Sequence, residues 1–115
     1  MSKVWFIDDY AAQRQLSRLV LEMAGHAVMT FTDGDEAIAA YAAGERPDAV
    51  LTDFQMKRVS GDRLVAQLRA LGFSGRIVVC SGTDDHRVRE ACPLADAFLP
   101  KPYDNNDLVK AAKIP

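Results

Sequence analysis

The chain has 115 residues, of which 49% are hydrophobic and 26% charged, and its formal net charge is −2. This length fits a single domain, expected to span residues 1–115, and the apolar content supports a packed core, which excludes a disordered chain. The near-neutral charge excludes nucleic-acid binding through a strongly basic surface, and no apolar run approaches the roughly 20 residues of a membrane helix. Because no signal-peptide pattern follows Met1, we expect a cytoplasmic protein.

Strand-like and helix-like segments alternate five times along the chain. In chain order they are predicted at residues 4–7, 11–24, 26–31, 35–43, 48–53, 62–71, 76–80, 84–92, 96–99 and 105–113. Four apolar residues of the first predicted helix recur at helical spacing, namely Leu16, Leu19, Val20 and Met23. Glycines follow the first three helices as stop signals. Cys80 closes the fourth strand and is expected to be a buried apolar residue rather than half of a disulfide with Cys92.

Strict alternation of strands and helices predicts a parallel sheet with helices on both faces. The nearly uninterrupted apolar strands agree, because strands covered on both faces need not alternate with polar residues. The predicted fold class is therefore α/β, a flavodoxin-like (βα)5 sandwich with strand order 2-1-3-4-5. Pro100 fits this order, since the fifth strand then lies at a sheet edge, where a missing backbone donor is tolerated.

Polar side chains stand at the ends of four predicted strands. Asp8 and Asp9 follow the first strand, Asp53 ends the third, Ser81 follows the fourth, and Lys101 comes shortly after the fifth. Each alone has an ordinary reading as a helix cap, a turn residue or a surface charge. In a parallel sheet, however, all would share one crevice at the carboxyl edge. Close carboxylates repel one another unless a cation lies among them, so the set predicts a hard metal ion with oxygen ligands, Mg²⁺.

These motifs resemble the receiver domain of two-component response regulators, over residues 3–113. The matching positions are the acidic pair after the first strand, the stretch after the third strand with a glycine eight residues on, and the pairs after the last two strands. In this sequence they read Asp8-Asp9, Asp53-Phe54-Gln55-Met56 with Gly61, Ser81-Gly82 and Lys101-Pro102. The intervals between Asp53, Ser81 and Lys101 match as well.

The resemblance implies a role for each matching residue. Asp53 would accept a phosphoryl group, Lys101 would pair with that group, and the Ser81 hydroxyl would bond one of its oxygens. Phe98 stands at the position of the family's switch aromatic. The implied Mg²⁺ ligands are Asp9 and Asp53 directly, Asp8 through water, and the backbone carbonyl of Gln55.

The implied function is a signalling switch that takes its phosphoryl group from a sensor histidine kinase or a histidine phosphotransfer protein. Such a switch catalyses only its own phosphorylation and dephosphorylation. Its signal would leave through the face made by the fourth helix, fifth strand and last helix, toward a downstream protein or a second copy of the chain. That face carries Arg87, Arg89, Phe98, Tyr103 and Lys110. Two alternatives stay open: a Mg²⁺-dependent phosphohydrolase with an aspartyl-phosphate intermediate, and a receiver-like binding module that is never phosphorylated.

Several positions depart from the family's usual pattern. Lys57 stands where proline is usual and Ser60 where an acidic residue is common, so we expect a more mobile and more basic loop after the third strand. Pro93 predicts a short or irregular fourth helix. The proline after Lys101 permits a cis Lys101-Pro102 peptide bond. None of these departures removes a residue of the implied phosphorylation site.

Overall fold

Five strand–helix units follow one another in the computed structural model, which describes residues 2–82 and 85–113. The strands are β1 (Lys3–Ile7), β2 (Ala27–Phe31), β3 (Ala49–Asp53), β4 (Arg76–Ser81) and β5 (Ala97–Pro100). The helices are α1 (Ala11–Met23), α2 (Gly34–Ala42), α3 (Gly61–Ala70), α4 (Asp85–Ala91) and α5 (Asn105–Ala111). All ten predicted elements are present, with bounds shifted by one or two residues; the predicted start of the fourth helix at Asp84 lies outside the described residues. In the described part of the chain, no helix combines the length and apolarity needed to cross a membrane.

The strands of the described chain form one parallel sheet in the order β2-β1-β3-β4-β5. This order confirms the predicted flavodoxin-like sandwich. The register aligns Ile7 of β1 with Thr52 of β3, and Ser81 of β4 with Pro100 of β5. The strands therefore end level with one another, and the residues that follow β1, β4 and β5 emerge beside Asp53 at the end of β3.

Alternate residues of the strands pack on opposite faces of the sheet, which gives two apolar clusters. One cluster joins strand residues to α2, α3 and α4, and its strand members include Trp5, Ile7, Val50, Ile77 and Val79. The other joins the opposite strand residues to α1 and α5, and its strand members include Val4, Phe6, Leu51, Val78 and Cys80. Cys80 is buried and free, as is Cys92 in the first cluster, so the expectation of a buried apolar cysteine is confirmed.

The apolar stripe of α1 lies on the outside of the molecule. Leu16, Leu19 and Met23 are 51%, 55% and 79% exposed, whereas the buried residues of this helix are Ser17 and Leu21. The spacing of apolar residues correctly predicted a helix. The face on which these apolar residues lie, however, points mostly to solvent. Leu21, on another side of α1, is the residue of this helix buried in the second cluster.

Candidate functional site

Three carboxylates meet at the carboxyl edge of the sheet. Asp8 and Asp9 follow β1, and Asp53 is the last residue of β3. One carboxylate oxygen from each lies within 4.8 Å of the others, an arrangement that can hold a metal ion. Asp8 is buried, Asp53 is half-buried and Asp9 is exposed, so the cluster runs from the interior to the surface. The structure thus brings together the three acidic residues that the sequence analysis placed at this edge.

The ammonium of Lys101 lies against two of these carboxylates. Its Nζ is 3.2 Å from Oδ1 of Asp53 and 3.4 Å from Oδ2 of Asp8. The backbone of Lys101 is held as well, because its N–H donates to the carbonyl of Ser81 at 2.8 Å. The Lys101–Pro102 peptide bond is cis, as the sequence allowed. β4 and β5 therefore fix the strand end from which Lys101 reaches the acidic cluster.

Burial and mutual charge shift the pKa values of this pair. Burial raises the pKa of Asp53, Lys101 partly counteracts that effect, and the neighbouring Asp8 raises the pKa further. For Lys101, burial alone would lower the pKa, but the charges of Asp53 and Asp8 outweigh it and the pKa is raised. Lys101 is thus held firmly in its charged form, while the charge on Asp53 is partly penalised by its surroundings.

The turn after β1 is fixed by Asp8 itself. Its N–H donates to the carbonyl of Phe31 at 3.2 Å, which continues the pairing with β2 past the strand end. Its carboxylate accepts a hydrogen bond from the N–H of Tyr10 at 2.9 Å, and its carbonyl accepts one from the Arg14 guanidinium at 2.7 Å. These three bonds orient the buried carboxylate toward Lys101 before any ligand binds.

The loop between β3 and α3 closes tightly over the end of β3. The N–H of Phe54 donates to the carbonyl of Cys80 at 2.9 Å, and the N–H of Gly61 donates to the carbonyl of Phe54 at 2.7 Å. A Cβ atom on Gly61 would lie 2.6 Å from the carbonyl oxygen of Asp53 and 2.8 Å from Cα of Phe54. Only glycine fits this approach, which explains physically why a glycine stands eight residues after Asp53.

A polar cavity of about 510 Å³ opens above the acidic cluster. Its walls contain most of the residues that the sequence analysis singled out, together with the loop after β3. The lining residues are Asp9, Asp53, Gln55, Met56, Lys57, Ser81, Gly82 and Lys101. Asp8 is not among them, since it is buried beneath the cavity, where it contacts Lys101.

Comparison with known proteins identifies the family of this fold and site. A family model described as the response regulator receiver domain matches residues 4–113. The chain belongs to this family. It is the receiver domain of a response regulator of two-component signalling, as the motifs of the sequence indicated.

Individual relatives agree with this assignment. The response regulator MprA of Mycolicibacterium vanbaalenii is 35% identical over 109 residues, which cover 93% of this chain and 47% of that protein. The chain thus spans about half the length of the curated relatives it matches. Among solved structures, a CheY-like receiver domain from Methylobacillus flagellatus is 33% identical, with a TM-score of 0.84, and the match covers 94% of this chain and 92% of that one. The chemotaxis protein CheY4 of Vibrio cholerae is 28% identical, with a TM-score of 0.87 and coverages of 96% and 94%.

In this receiver domain, Ser81 and Phe98 face a second, smaller cavity. It has a volume of about 70 Å³ and is also lined by Val79, Val88 and Arg89, among others. Ser81 is buried and belongs to the walls of both cavities, so it separates the acidic cluster from the ring of Phe98. The guanidinium of Arg89 lies over that ring, 4.7 Å from its centre. The two residues expected to act as a switch are thus placed around a common space.

Asp33 is a residue of the receiver domain that the sequence analysis missed. It is buried at the start of α2, and its carboxylate accepts hydrogen bonds from the N–H groups of Gly34, Val59 and Arg58 at 2.7, 2.8 and 2.9 Å. Burial raises the pKa of Asp33, but the hydrogen bonds from these backbone donors together lower it by more. The pKa of Asp33 is therefore below its ordinary value. An aspartate before a helix indicates an N-cap, yet nothing in the local sequence indicates that it also holds the distant loop after β3.

Tyr103 occupies a different place from the one expected. The sequence predicted it on the face of α4, β5 and α5, but Tyr103 packs against the cluster shared by α1 and α5. Its hydroxyl lies 3.3 Å from Oγ of Ser17 and accepts a hydrogen bond from Nε2 of Gln13 at 3.0 Å, both on α1. Burial raises the pKa of Tyr103 to about 12. Tyr103 therefore ties the segment after Lys101 to α1 instead of facing the output surface.

Proposed function

We propose that this receiver domain is a phosphorylation-dependent switch that accepts a phosphoryl group on Asp53 from a histidine kinase or a histidine phosphotransfer protein. The observation that carries this proposal is the position of the Asp53 carboxylate. It lines an open polar cavity, lies 3.2 Å from the ammonium of Lys101, and shares its cluster with Asp8 and Asp9. A nucleophile, a cation and an acidic cluster are the parts that acyl phosphate formation requires.

The residues of the cluster suit Mg²⁺. Three carboxylates offer hard oxygen ligands within reach of one ion, and a single ammonium leaves their repulsion only partly compensated. In this proposal Asp9, Asp53 and the backbone carbonyl of Gln55 would hold the ion directly, and Asp8 would hold it through water. When bound, Mg²⁺ acts as a Lewis acid on the phosphoryl oxygens.

Phosphoryl transfer then follows from the groups around Asp53. A carboxylate oxygen of Asp53 forms a bond to phosphorus while the bond between phosphorus and the donor's imidazole nitrogen breaks, and the electron pair of that bond stays with the imidazole. Lys101 keeps its proton because its pKa is raised, and its charge lies next to the oxygens of the arriving group. The Ser81 hydroxyl donates to one of these oxygens. Substituting Asn for Asp53 keeps the shape of the side chain and removes the nucleophile.

The phosphoryl group also acts as the signal. It adds roughly 1.5 to 2 negative charges above the sheet edge, and in our proposal it draws the Ser81 hydroxyl toward it. Ser81 borders the 70 Å³ cavity shared with Phe98, so its movement opens room for the ring. Phosphorylation thereby favours an inward position of Phe98, one of two states that already exchange. The output leaves through the neighbouring surface of α4, β5 and α5, where Arg87 and Lys110 are exposed.

The phosphodonor protein, we infer, docks along α1. This helix begins two residues after Asp9, so its amino end lies at the mouth of the cavity. From there the exposed side chains of Leu16, Leu19 and Met23 form an apolar stripe at helical spacing. A contiguous exposed apolar stripe marks a binding surface, and its continuity with the phosphorylation site favours the phosphodonor as the partner. The face suits packing against another helix.

Intact-mass measurement tests the proposal. Incubation with Mg²⁺ and acetyl phosphate should produce a phosphoryl adduct in the parent protein and in Asp62→Asn, a control outside the cavity, but not in Asp53→Asn. An adduct that persists in Asp53→Asn would overturn the assignment of Asp53. Repeated turnover of a stable phosphoester would instead favour a phosphohydrolase, and the absence of any adduct would favour a binding module that is never phosphorylated.

A further inference from the structure

A second lysine stands in the wall of the phosphorylation cavity. Lys57, on the loop after β3, lines the cavity together with Lys101. The ammonium of Lys101 is already engaged by Asp53 and Asp8. Lys57 is exposed, and within residues 2–82 and 85–113 it has no carboxylate partner. The cavity thus has two cationic side chains. Lys101 is ion-paired with the acidic cluster, whereas Lys57 lines the wall without a carboxylate partner among the described residues.

The backbone after Lys57 is hydrogen-bonded to residues at the start of α2. The next two residues, Arg58 and Val59, donate their N–H groups to the buried carboxylate of Asp33 at 2.9 and 2.8 Å. The Arg58 guanidinium also makes two bonds to the carboxylate of Asp35, at 2.8 and 3.1 Å. These bonds tie the loop to the start of α2, and from this loop Lys57 lines the cavity.

The charges around the cavity indicate how Lys57 could act on a phosphodonor. A phosphodonor arrives as an anion, and it must approach three carboxylates that Lys101 only partly compensates. A cation in the wall attracts the donor during its approach and while it is bound, and this attraction weakens as salt is added. Lys57 needs no direct contact with Asp53 for this effect, because it acts on the anion that enters.

We propose that Lys57 determines the selectivity of this site among phosphodonors. It favours the donor with the greater negative charge, which it binds more tightly in the cavity next to Asp53. The proposal rests on the function proposed above and adds the residue that discriminates between donors. Acetyl phosphate, a dianion near neutral pH, and phosphoramidate, which carries less net negative charge, are the two probes. Lys57 should increase phosphorylation by acetyl phosphate more than phosphorylation by phosphoramidate.

The test compares Lys57→Gln, which keeps the length and removes the charge, with Lys57→Arg, which keeps the charge. Lys113→Gln is the matched control, an exposed lysine that follows α5 at the opposite edge of the sheet. Initial rates of adduct formation are measured by intact mass, with Mg²⁺ present, over a range of donor concentrations and at two salt concentrations. This design separates donor binding from the transfer step.

For Lys57→Gln we expect the rate at low acetyl phosphate to fall roughly two- to fivefold, the rate at saturating donor to stay unchanged, and the salt dependence to flatten. The loss with phosphoramidate should be smaller, and Lys57→Arg and Lys113→Gln should behave like the parent. If an Asp53-dependent adduct forms equally fast in Lys57→Gln and in the parent with both donors, the role of Lys57 is overturned and the proposed function is not. The same holds for a loss that Lys57→Arg fails to restore. An adduct that never forms, or that survives in Asp53→Asn, would overturn the proposed function and this role together.

Discussion

The guanidinium of Arg89 stacks over the ring of Phe98, with its central carbon 4.7 Å from the ring centre. Arg89 belongs to α4 and Phe98 to β5, so the contact joins the two elements that border the smaller cavity. The ring thus has an attractive partner on its present side and a cavity shared with Ser81 next to it. Movement of Phe98 toward Ser81 must give up this stacking.

Removing Arg89 should therefore favour the moved position of Phe98 without phosphorylation. A cation–π contact at an exposed site contributes about 0.5–1 kcal/mol, which corresponds to a roughly two- to fivefold change in the ring equilibrium. We expect the aromatic NMR signals of Phe98 in Arg89→Ala to shift toward the positions that the parent shows with Mg²⁺ and beryllofluoride. Arg87→Ala on the same helix is the control. Identical Phe98 signals in Arg89→Ala and the free parent would contradict the idea.

Mg²⁺ should stabilise the protein through Asp9. Binding to the folded state alone raises the free energy of unfolding by about 1.4 kcal/mol when the ion is tenfold above its Kd, which corresponds to several degrees in Tm. Asp9→Asn should lose most of this Mg²⁺-dependent rise, and without the ion it should be at least as stable as the parent, because one of three repelling charges is gone. Thermal melts with and without Mg²⁺ measure both effects. A parent-like rise in Asp9→Asn would show that the metal site is misassigned.

The raised pKa of Asp53 predicts how stability depends on pH. A carboxyl group whose pKa is higher in the folded state stabilises the fold below its unfolded pKa, and this contribution is lost as pH rises through the folded pKa. In the absence of Mg²⁺, Asp53→Asn should therefore melt at a higher temperature than the parent at pH 7. The difference should shrink as the pH is lowered toward the ordinary aspartate value of 3.8. A variant that is less stable than the parent at pH 7 would mean that the ion pair with Lys101 outweighs burial.

Gly61→Ala should destabilise the protein because its new methyl group would collide with backbone atoms. The nearest of these, the carbonyl oxygen of Asp53, lies 2.6 Å away. Forced contacts of this kind cost about 1–3 kcal/mol. Gly82→Ala is the matched control on the same cavity, since among the described residues its Cβ would meet only the Cβ of Lys101, at 3.9 Å. Thermal melts should show a clear decrease in Tm for Gly61→Ala and little change for Gly82→Ala.

The sheet and its acidic edge could be predicted from sequence because both depend on short segments. Each buried strand is a local apolar run, and in a parallel sheet the residue after each run must lie at the carboxyl edge. Asp8, Asp53 and Lys101 therefore lie close together whatever path the connecting loops take. Their burial and charge coupling follow from the same placement.

Other features depend on contacts between segments that are distant in the sequence, and local sequence patterns do not predict these contacts. Helical spacing located α1, but it does not say which side of the helix faces the sheet, and three of the four apolar residues in the stripe are exposed. Asp33 reads as a helix cap, whereas its bond to Val59 joins residues 26 positions apart. Tyr103 follows β5 closely, yet its hydroxyl is held by Ser17 and Gln13 on the first helix.

The exposed stripe of α1 predicts how the receiver domain distinguishes a protein phosphodonor from a small one. Leu19 is 55% exposed, so replacing it with Gln should change the free energy of unfolding little. If a kinase or phosphotransfer protein packs on the stripe with Leu19 as one of its few anchor residues, this replacement should cost more than about 1 kcal/mol of binding free energy. Phosphotransfer from a protein donor active on the parent should then slow roughly tenfold at low concentration, while phosphorylation by acetyl phosphate stays unchanged.

Gln15→Ala, an exposed polar position on the same helix, is the control for this experiment. It should leave both reactions unchanged, because no apolar contact is lost. Equal slowing with both donors would place the effect of Leu19→Gln in the phosphorylation site itself, through movement of α1 and the turn that carries Asp9. Unchanged transfer from the protein donor would mean that the donor approaches over another surface. The next candidate would then be the loop of Lys57, which follows β3, the neighbour of β1 in the sheet, and also lines the cavity.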